Sequence, residues 1–71
     1  MDMKTIFSSK LIEAVRYSGL SYAELAKKLN ITKATMSMYK HGKALPSLET
    51  FYLICEYLDV SADFLLGKKE L

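Results

Sequence analysis

The chain has one cysteine, Cys55, and one histidine, His41, among its 71 residues. A lone thiol can form neither an internal disulfide nor a cysteine-based zinc site. A lone imidazole cannot supply a histidine pair for metal binding or catalysis. Tryptophan is missing, proline occurs once and glycine three times, which excludes a collagen-like or low-complexity chain. The longest apolar run covers only residues 51–55, against about 20 residues for a membrane-spanning helix. No basic start leads into an apolar stretch and a small-residue cleavage site, so the expected setting is soluble, reducing and cytoplasmic. Strand-like alternation, a nucleophile elbow, a phosphate-binding glycine loop and paired carboxylates are likewise missing. The expectation is therefore a protein without catalysis, metal, cofactor, small-molecule substrate or membrane partner.

What is present is a composition that is 51% hydrophobic and 25% charged, which suits one small folded domain. The net charge of +2 conceals a polarised arrangement. Between residues 25 and 48 stand Lys27, Lys28, Lys33, Lys40 and Lys43 with no acid, whereas between residues 47 and 66 stand Glu49, Glu56, Asp59 and Asp63 with no base. A basic middle can meet a polyanion that the acidic end would repel; equally, both could be solvated helix faces.

Apolar residues recur every three or four positions, and the reading is all-α, with five short helices. The first is expected over 8–17, with Phe7, Leu11, Ala14 and Val15 inward and Gly19 as its stop. Ser21 and Glu24 form a capping box for the second, which runs through Leu29. Asn30 suits the left-handed turn that follows. Thr32 caps a third helix ending near His41 and Gly42. Pro46 and Ser47 introduce a fourth, with Leu48, Phe51, Ile54, Cys55 and Leu58 as its buried face. Ser61 caps a last turn or two through Leu66, closed by Gly67. Residues 1–6 read as an arm or an extension of the first helix, and 68–71 as a tail. Cys55 reads as a small core residue, Tyr39 as core, and Tyr17, Tyr52 and Tyr57 as half-buried.

The informative segment is 22–41, YAELAKKLNITKATMSMYKH. Apolar anchors at Leu25, Leu29, Ile31, Met36 and Tyr39 tie two helices across a tight turn, and the small Ala26 allows them to cross closely. This is the spacing of a DNA-binding helix-turn-helix, whose second helix enters the major groove.

With its flanks, from GLSYAELAKK to ADFLLG, the segment resembles the lambda-repressor and Cro type of helix-turn-helix domain, the XRE family of bacterial and phage transcriptional regulators. The resemblance covers about residues 7–67. It implies a compact five-helix domain that binds double-stranded operator DNA, usually as a homodimer on an inverted repeat. Carried over by position, it puts Lys33, Ala34, Thr35 and Met38 at base edges. It puts Ser21, Tyr22, Ser37, Lys40, His41 and Lys43 against phosphates. The chemistry suits these roles: lysine donates to guanine O6 or N7, threonine bonds several bases, and alanine meets a thymine methyl. Ser21 and Tyr22 can offer hydroxyl and backbone donors at a helix start. Two positions depart from the family pattern. An arginine of the first helix and a glutamate late in the recognition helix, commonly paired, are here Val15 and Lys40. Val15 should then join the two helices by apolar packing, leaving Lys40 free for solvent or phosphate. Met38 stands where a polar base reader is frequent and offers apolar contact instead.

Leu53 and Tyr57, one turn apart on the fourth helix, are read as a self-association patch, with Tyr52 or the segment 64–66 as additions. Together these features suggest a sequence-specific, homodimeric transcriptional repressor. The alternative is a protein-interaction module, or antitoxin-like partner, built on the same fold.

Overall fold

The computed structural model describes residues 2–70, so Met1 and Leu71, the outer ends of the expected arm and tail, lie outside the described residues. Five helices follow one another: α1 (Met3–Ser18), α2 (Tyr22–Leu29), α3 (Lys33–Lys40), α4 (Leu48–Leu58) and α5 (Ala62–Leu65). Each begins with a short polar side chain in extended backbone that accepts a hydrogen bond from an N–H three residues on: Asp2, Ser21, Thr32, Ser47 and Ser61. The first N–H groups of a helix have no partner within it, and these oxygens supply one.

α1 starts five residues before the position that apolar spacing suggests. Asp2 accepts from the Thr5 N–H at 2.9 Å, and this cap lies outside the apolar pattern that begins at Phe7. Three helices end in left-handed backbone, at Gly19 (φ 81°), Asn30 (φ 57°) and Asp59 (φ 54°). Asn30 was legible from sequence. Asp59 makes the same turn after α4, where its N–H bonds the carbonyl of Glu56.

α1 lies at the centre, packed on α3, α4 and α5, while α2 packs on α3 and α4. Phe7, Leu11, Leu25, Ile54, Phe64 and Leu65 are the largest fully buried side chains. Val15 is buried in the core as expected, in the same cluster as Met36 and Tyr39, and two specific contacts also tie α1 to α3. The Phe7 and Tyr39 rings meet edge to face, 6.1 Å between centroids. The buried Ser8 hydroxyl donates to the Lys40 carbonyl, satisfying one of the free carbonyls at the α3 C-terminus.

The expected inner face of α4 needs correction. Ile54 and Leu58 are buried and Phe51 and Cys55 half-buried, but Leu48 projects into solvent. At about 100° per residue, Leu48 stands well round the helix from the stripe centred on Ile54 and Leu58. Tyr17, Tyr52 and Tyr57 are exposed rather than half-buried. Burial pushes the Cys55 thiol up from its ordinary pKa, which favours the protonated form over the thiolate.

Two predictions test the helix junctions. Asn30→Gly should leave stability nearly unchanged, whereas Asn30→Val should lose about 1–2 kcal/mol, since a branched side chain resists the left-handed region; urea unfolding measures both. The second concerns acid. The Ser21 N–H donates to Glu24 Oε1 at 2.9 Å, and this bond, followed by the Ser21 hydroxyl, holds the Glu24 carboxyl below its ordinary pKa. The unfolded chain therefore takes up this proton at a higher pH than the folded one. The resulting stabilisation is complete above the ordinary carboxylate range and disappears as pH falls through the lowered folded value. Glu24→Gln should make stability less sensitive to acid between about pH 6 and pH 3, measured by urea midpoints across that range.

Candidate nucleic-acid interface

α3 has eight residues, roughly 12 Å of helix, and a major groove is about 12 Å wide. Two of its side chains, Met36 and Tyr39, are buried. Their position sets which arc of the helix is left outside. Advancing about 100° per residue, that arc carries Lys33, Ala34, Ser37 and Met38, with His41 following at the C-cap, and all five are exposed. Three of the four expected base readers, Lys33, Ala34 and Met38, thus stand on one surface.

Thr35 does not share it fully. It is half-buried at the margin of the arc. Its N–H donates to the Thr32 hydroxyl oxygen at 3.1 Å, and the Thr32 hydroxyl donates to the Thr35 oxygen at 3.0 Å. The Thr35 hydroxyl proton remains available, but the side chain belongs to the helix cap as much as to the outer face. Ser37, expected against phosphate, sits instead near the middle of the arc. Its carbonyl lies 2.8 Å from His41 Nδ1 and its hydroxyl 3.2 Å from the same atom, which fixes the imidazole against the last turn. Helix phase alone could have ranked Ser37 above Thr35.

The start of α2 is also changed from expectation. Ser21 is exposed, but its backbone N–H is already committed to Glu24 and cannot serve a phosphate. What remains there is the Ser21 hydroxyl proton, since the oxygen accepts from the Glu24 N–H at 3.0 Å, and the side chain of Tyr22. Burial raises the Tyr22 phenol pKa, against a smaller opposing effect of Arg16, so the phenol is a neutral donor.

Lys40 is not free. Its ammonium lies 4.0 Å from the centre of the Tyr22 ring, a cation–π contact that joins the end of α3 to the start of α2. Beneath it is a cavity of about 180 Å³ between the two helices, lined by Tyr22, Ala23, Ala26, Lys33, Met36, Ser37 and Lys40. The small Ala26 is buried at this crossing. Lys40, at the position of the family's glutamate, thus joins α3 to α2 rather than to α1. Lys43 is exposed, and its N–H donates to the Met38 carbonyl at 2.8 Å, which holds it just past the C-terminal end of α3. Lys28 faces elsewhere, its ammonium 5.5 Å from the Tyr57 ring centre.

That contact bears on the expected self-association patch. Tyr57 has Lys28 over its ring, and Leu53 is half-buried against the core. Phe64 and Leu65, offered as additions to the patch, are wholly buried. Leu53, Phe64 and Leu65 serve packing while Tyr57 stays exposed beneath Lys28, and the larger exposed apolar surface lies at the other end of α4. No group of three or more metal-binding side chains occurs among the described residues, and no described helix is long and apolar enough to cross a membrane.

Comparison with known proteins agrees with this geometry. The family model described as helix-turn-helix matches residues 17–65. The chain is 36% identical over 61 residues to the HTH-type transcriptional regulator ImmR of Bacillus subtilis, covering 86% of this chain and 48% of that protein. It is 29% identical over 65 residues to the HTH-type transcriptional activator BcrR of Enterococcus faecalis, covering 92% and 32%. It is 34% identical over 61 residues to the uncharacterized HTH-type transcriptional regulator YqaE of Bacillus subtilis, covering 86% and 53%. The chain thus spans about half the length, or less, of these curated relatives. No solved structure matches it significantly.

The Lys40 contact predicts a specific signature in DNA titrations. Lys40→Gln should weaken binding through loss of the Tyr22 contact, yet leave the slope of log K against log salt unchanged. A slope smaller by about 0.9 would instead identify a phosphate contact.

Proposed function

The chain belongs to the helix-turn-helix family of DNA-binding transcriptional regulators, of the lambda-repressor or XRE type, and on that premise we propose that it is a repressor that seats α3 in the major groove of an operator as a homodimer. The observation that carries this reading is the outward arc of α3. Small and hydrogen-bonding side chains occupy its middle, Lys33 and Lys43 stand at its two ends, and the segment 25–48 contains no acid. A surface that is small, basic and free of carboxylates can approach base edges without repulsion from the phosphates.

Within the arc the roles divide by chemistry. Lys33 donates to guanine O6 or N7, Ser37 and the margin residue Thr35 offer hydroxyls, and Ala34 and Met38 make apolar contact with thymine methyls. Tyr22, the Ser21 hydroxyl, His41 and Lys43 flank the arc and bond phosphates, fixing register without reading sequence. Lys40 acts through Tyr22 as a positioning residue. Function here is binding without chemistry, and occupancy of an operator is enough to exclude a polymerase from it. A homodimer doubles the reading surface and matches a two-fold symmetric site, with half-sites about 34 Å apart or a multiple of that distance.

Selection of bound duplexes from a random pool tests this directly. The expected product is an inverted repeat with one such spacing, and a pool without enrichment overturns the reading. On the selected operator, Lys33→Ala should cost roughly 1–3 kcal/mol and relax the preference at one base position per half-site. Lys43→Ala should weaken all sequences alike and reduce the salt slope by about 0.9 per subunit.

A further inference from the structure

Among the described residues, Leu48 is the most exposed large apolar side chain, at 83%, and Tyr52 one turn on is 61% exposed. Leu48 and Phe51 stand between two apolar hollows. The first, between α1 and the loop before α4, has an uncharged lining that includes Met3, Leu45 and Pro46. The second, of about 770 Å³, is a groove between α4 and the start of α5. Leu48, Phe51, Tyr52, Cys55, Val60 and Ala62 make its apolar walls, and Glu49 and Glu56 are its charged lining. At about 100° per residue, Leu48, Tyr52 and Cys55 form one stripe along α4, and Glu49 and Glu56 form a rail beside it, on the side away from Ile54 and Leu58.

We propose that this groove docks a basic amphipathic helix of another protein, its apolar side chains on the Leu48–Tyr52–Cys55 stripe and its lysines or arginines over Glu49 and Glu56. The proposal goes beyond the operator reading and does not depend on it. Charge selects the occupant. Residues 47–66 contain no base, and their four acids, Glu49, Glu56, Asp59 and Asp63, are all exposed. The ion pairs among the described residues are both made by Lys10, with Glu13 and Glu70, so none of the four is neutralised. Two bases reach α4 and α5 from other helices, and neither lines the groove. Lys28 lies over Tyr57, half a turn round α4 from Leu48, and Lys10 lies over the buried Phe64 ring. Lys68 and Lys69, beyond α5, do not line it either. An apolar floor with an acidic rim attracts a cationic apolar partner and repels nucleic acid or an anionic membrane. Two copies set face to face would oppose the same acids to each other, which disfavours self-pairing here.

Shape selects a helix. The described elements are all helices, so the groove offers no open strand edge, and a partner must satisfy its own backbone as a helix does. Glu49 and Glu56 are seven residues apart, roughly 11 Å along α4. Two turns of a partner helix span the same distance, so bases at i and i+7 meet both acids while apolar side chains between them meet the stripe. None of the side chains assigned to DNA lines this groove. α3 packs on α1 and α2, whereas α5 packs on α1 and α4, so the groove and the reading arc belong to different parts of the surface.

The chain has no tryptophan, so the indole fluorescence of a tryptophan-bearing peptide reports that peptide's binding alone. The probe is a synthetic amphipathic helix about 18 residues long, with leucines and one tryptophan on one face and lysines beside them. Two companions share its length: one with glutamine for every lysine, the other with the same residues in an order that breaks the apolar face. The whole chain should bind the first peptide and neither companion. Glu49→Gln combined with Glu56→Gln should weaken binding about fivefold, and Leu48→Gln tenfold or more. Glu70→Gln, an acid outside the groove, should change nothing. All these side chains are exposed, so the variants should keep their fold, which circular dichroism checks. Amide NMR shifts on adding peptide should centre on residues 48–62. Equal binding of the glutamine peptide or of the reordered peptide overturns the proposal, as does no binding, or shifts centred elsewhere. Sedimentation equilibrium without peptide covers the remaining occupant: a wild-type dimer dissociated by Leu48→Gln would give the groove to a second copy and overturn the proposal too. No DNA enters these measurements, so their outcome is separate from that of the operator selection.

Discussion

The burial of Met36 and Tyr39 is the constraint on which the remainder of the molecule depends. α3 is only eight residues long, too short to hold a helical form by propensity alone, and it must be held from outside. Tyr39 meets Phe7 of α1, the Lys40 carbonyl takes the Ser8 hydroxyl, and the Lys40 ammonium covers the Tyr22 ring of α2. Those contacts set the rotation of α3 about its axis and leave the arc from Lys33 to His41 facing outward. Sites carried on a packed helix are positioned more precisely than sites on a loop, which suits reading base edges by hydrogen bonds.

The same arrangement explains how the domain does without a buried ion pair between its first and third helices. Removing one partner of such a pair leaves an uncompensated charge, whereas removing both costs little when apolar and hydrogen-bonded contacts take their place. Here an edge-to-face aromatic pair, one hydroxyl-to-carbonyl bond and one cation–π contact share the work among three helices. The cation–π contact couples the end of α3 to the start of α2. A lysine that the sequence leaves free for phosphate is drawn into the scaffold.

The α4 helix shows how one element serves two purposes. Its inner stripe, Ile54 and Leu58, closes the core, while its first turn throws Leu48 outward beside two hollows. Burying that leucine in a second molecule would be favourable by the ordinary apolar transfer energy, about 1.5–3 kcal/mol for a leucine side chain. The acidic charge of α4 and the basic charge of the segment before it are plain in the sequence as two blocks.

Much of this was open to reading before any coordinates. Helix ends were legible because caps are local: Ser21, Thr32, Ser47 and Ser61 each bond an N–H three residues away, and Asn30 takes positive φ for reasons of its own side chain. The helix-turn-helix was legible because Leu25, Leu29, Met36 and Tyr39 repeat with the helical period. The start of α1 at Met3 was not, since the Asp2 cap precedes any apolar repeat. Periodicity also failed at the edge of a stripe, where Leu48 counts as inside by spacing but falls outside by angle, and where Leu53 looks free but rests on the core. Whether Thr35 or Ser37 faces outward, and whether Lys40 is free or bound, depended on how far α1 and α2 close around α3. The sequence by itself determined the local turns, the helical period and the sign of the charge along the chain. Only the packing of helices distant in sequence decided which residues of each helix meet solvent, because the partners that bury them come from elsewhere in the fold.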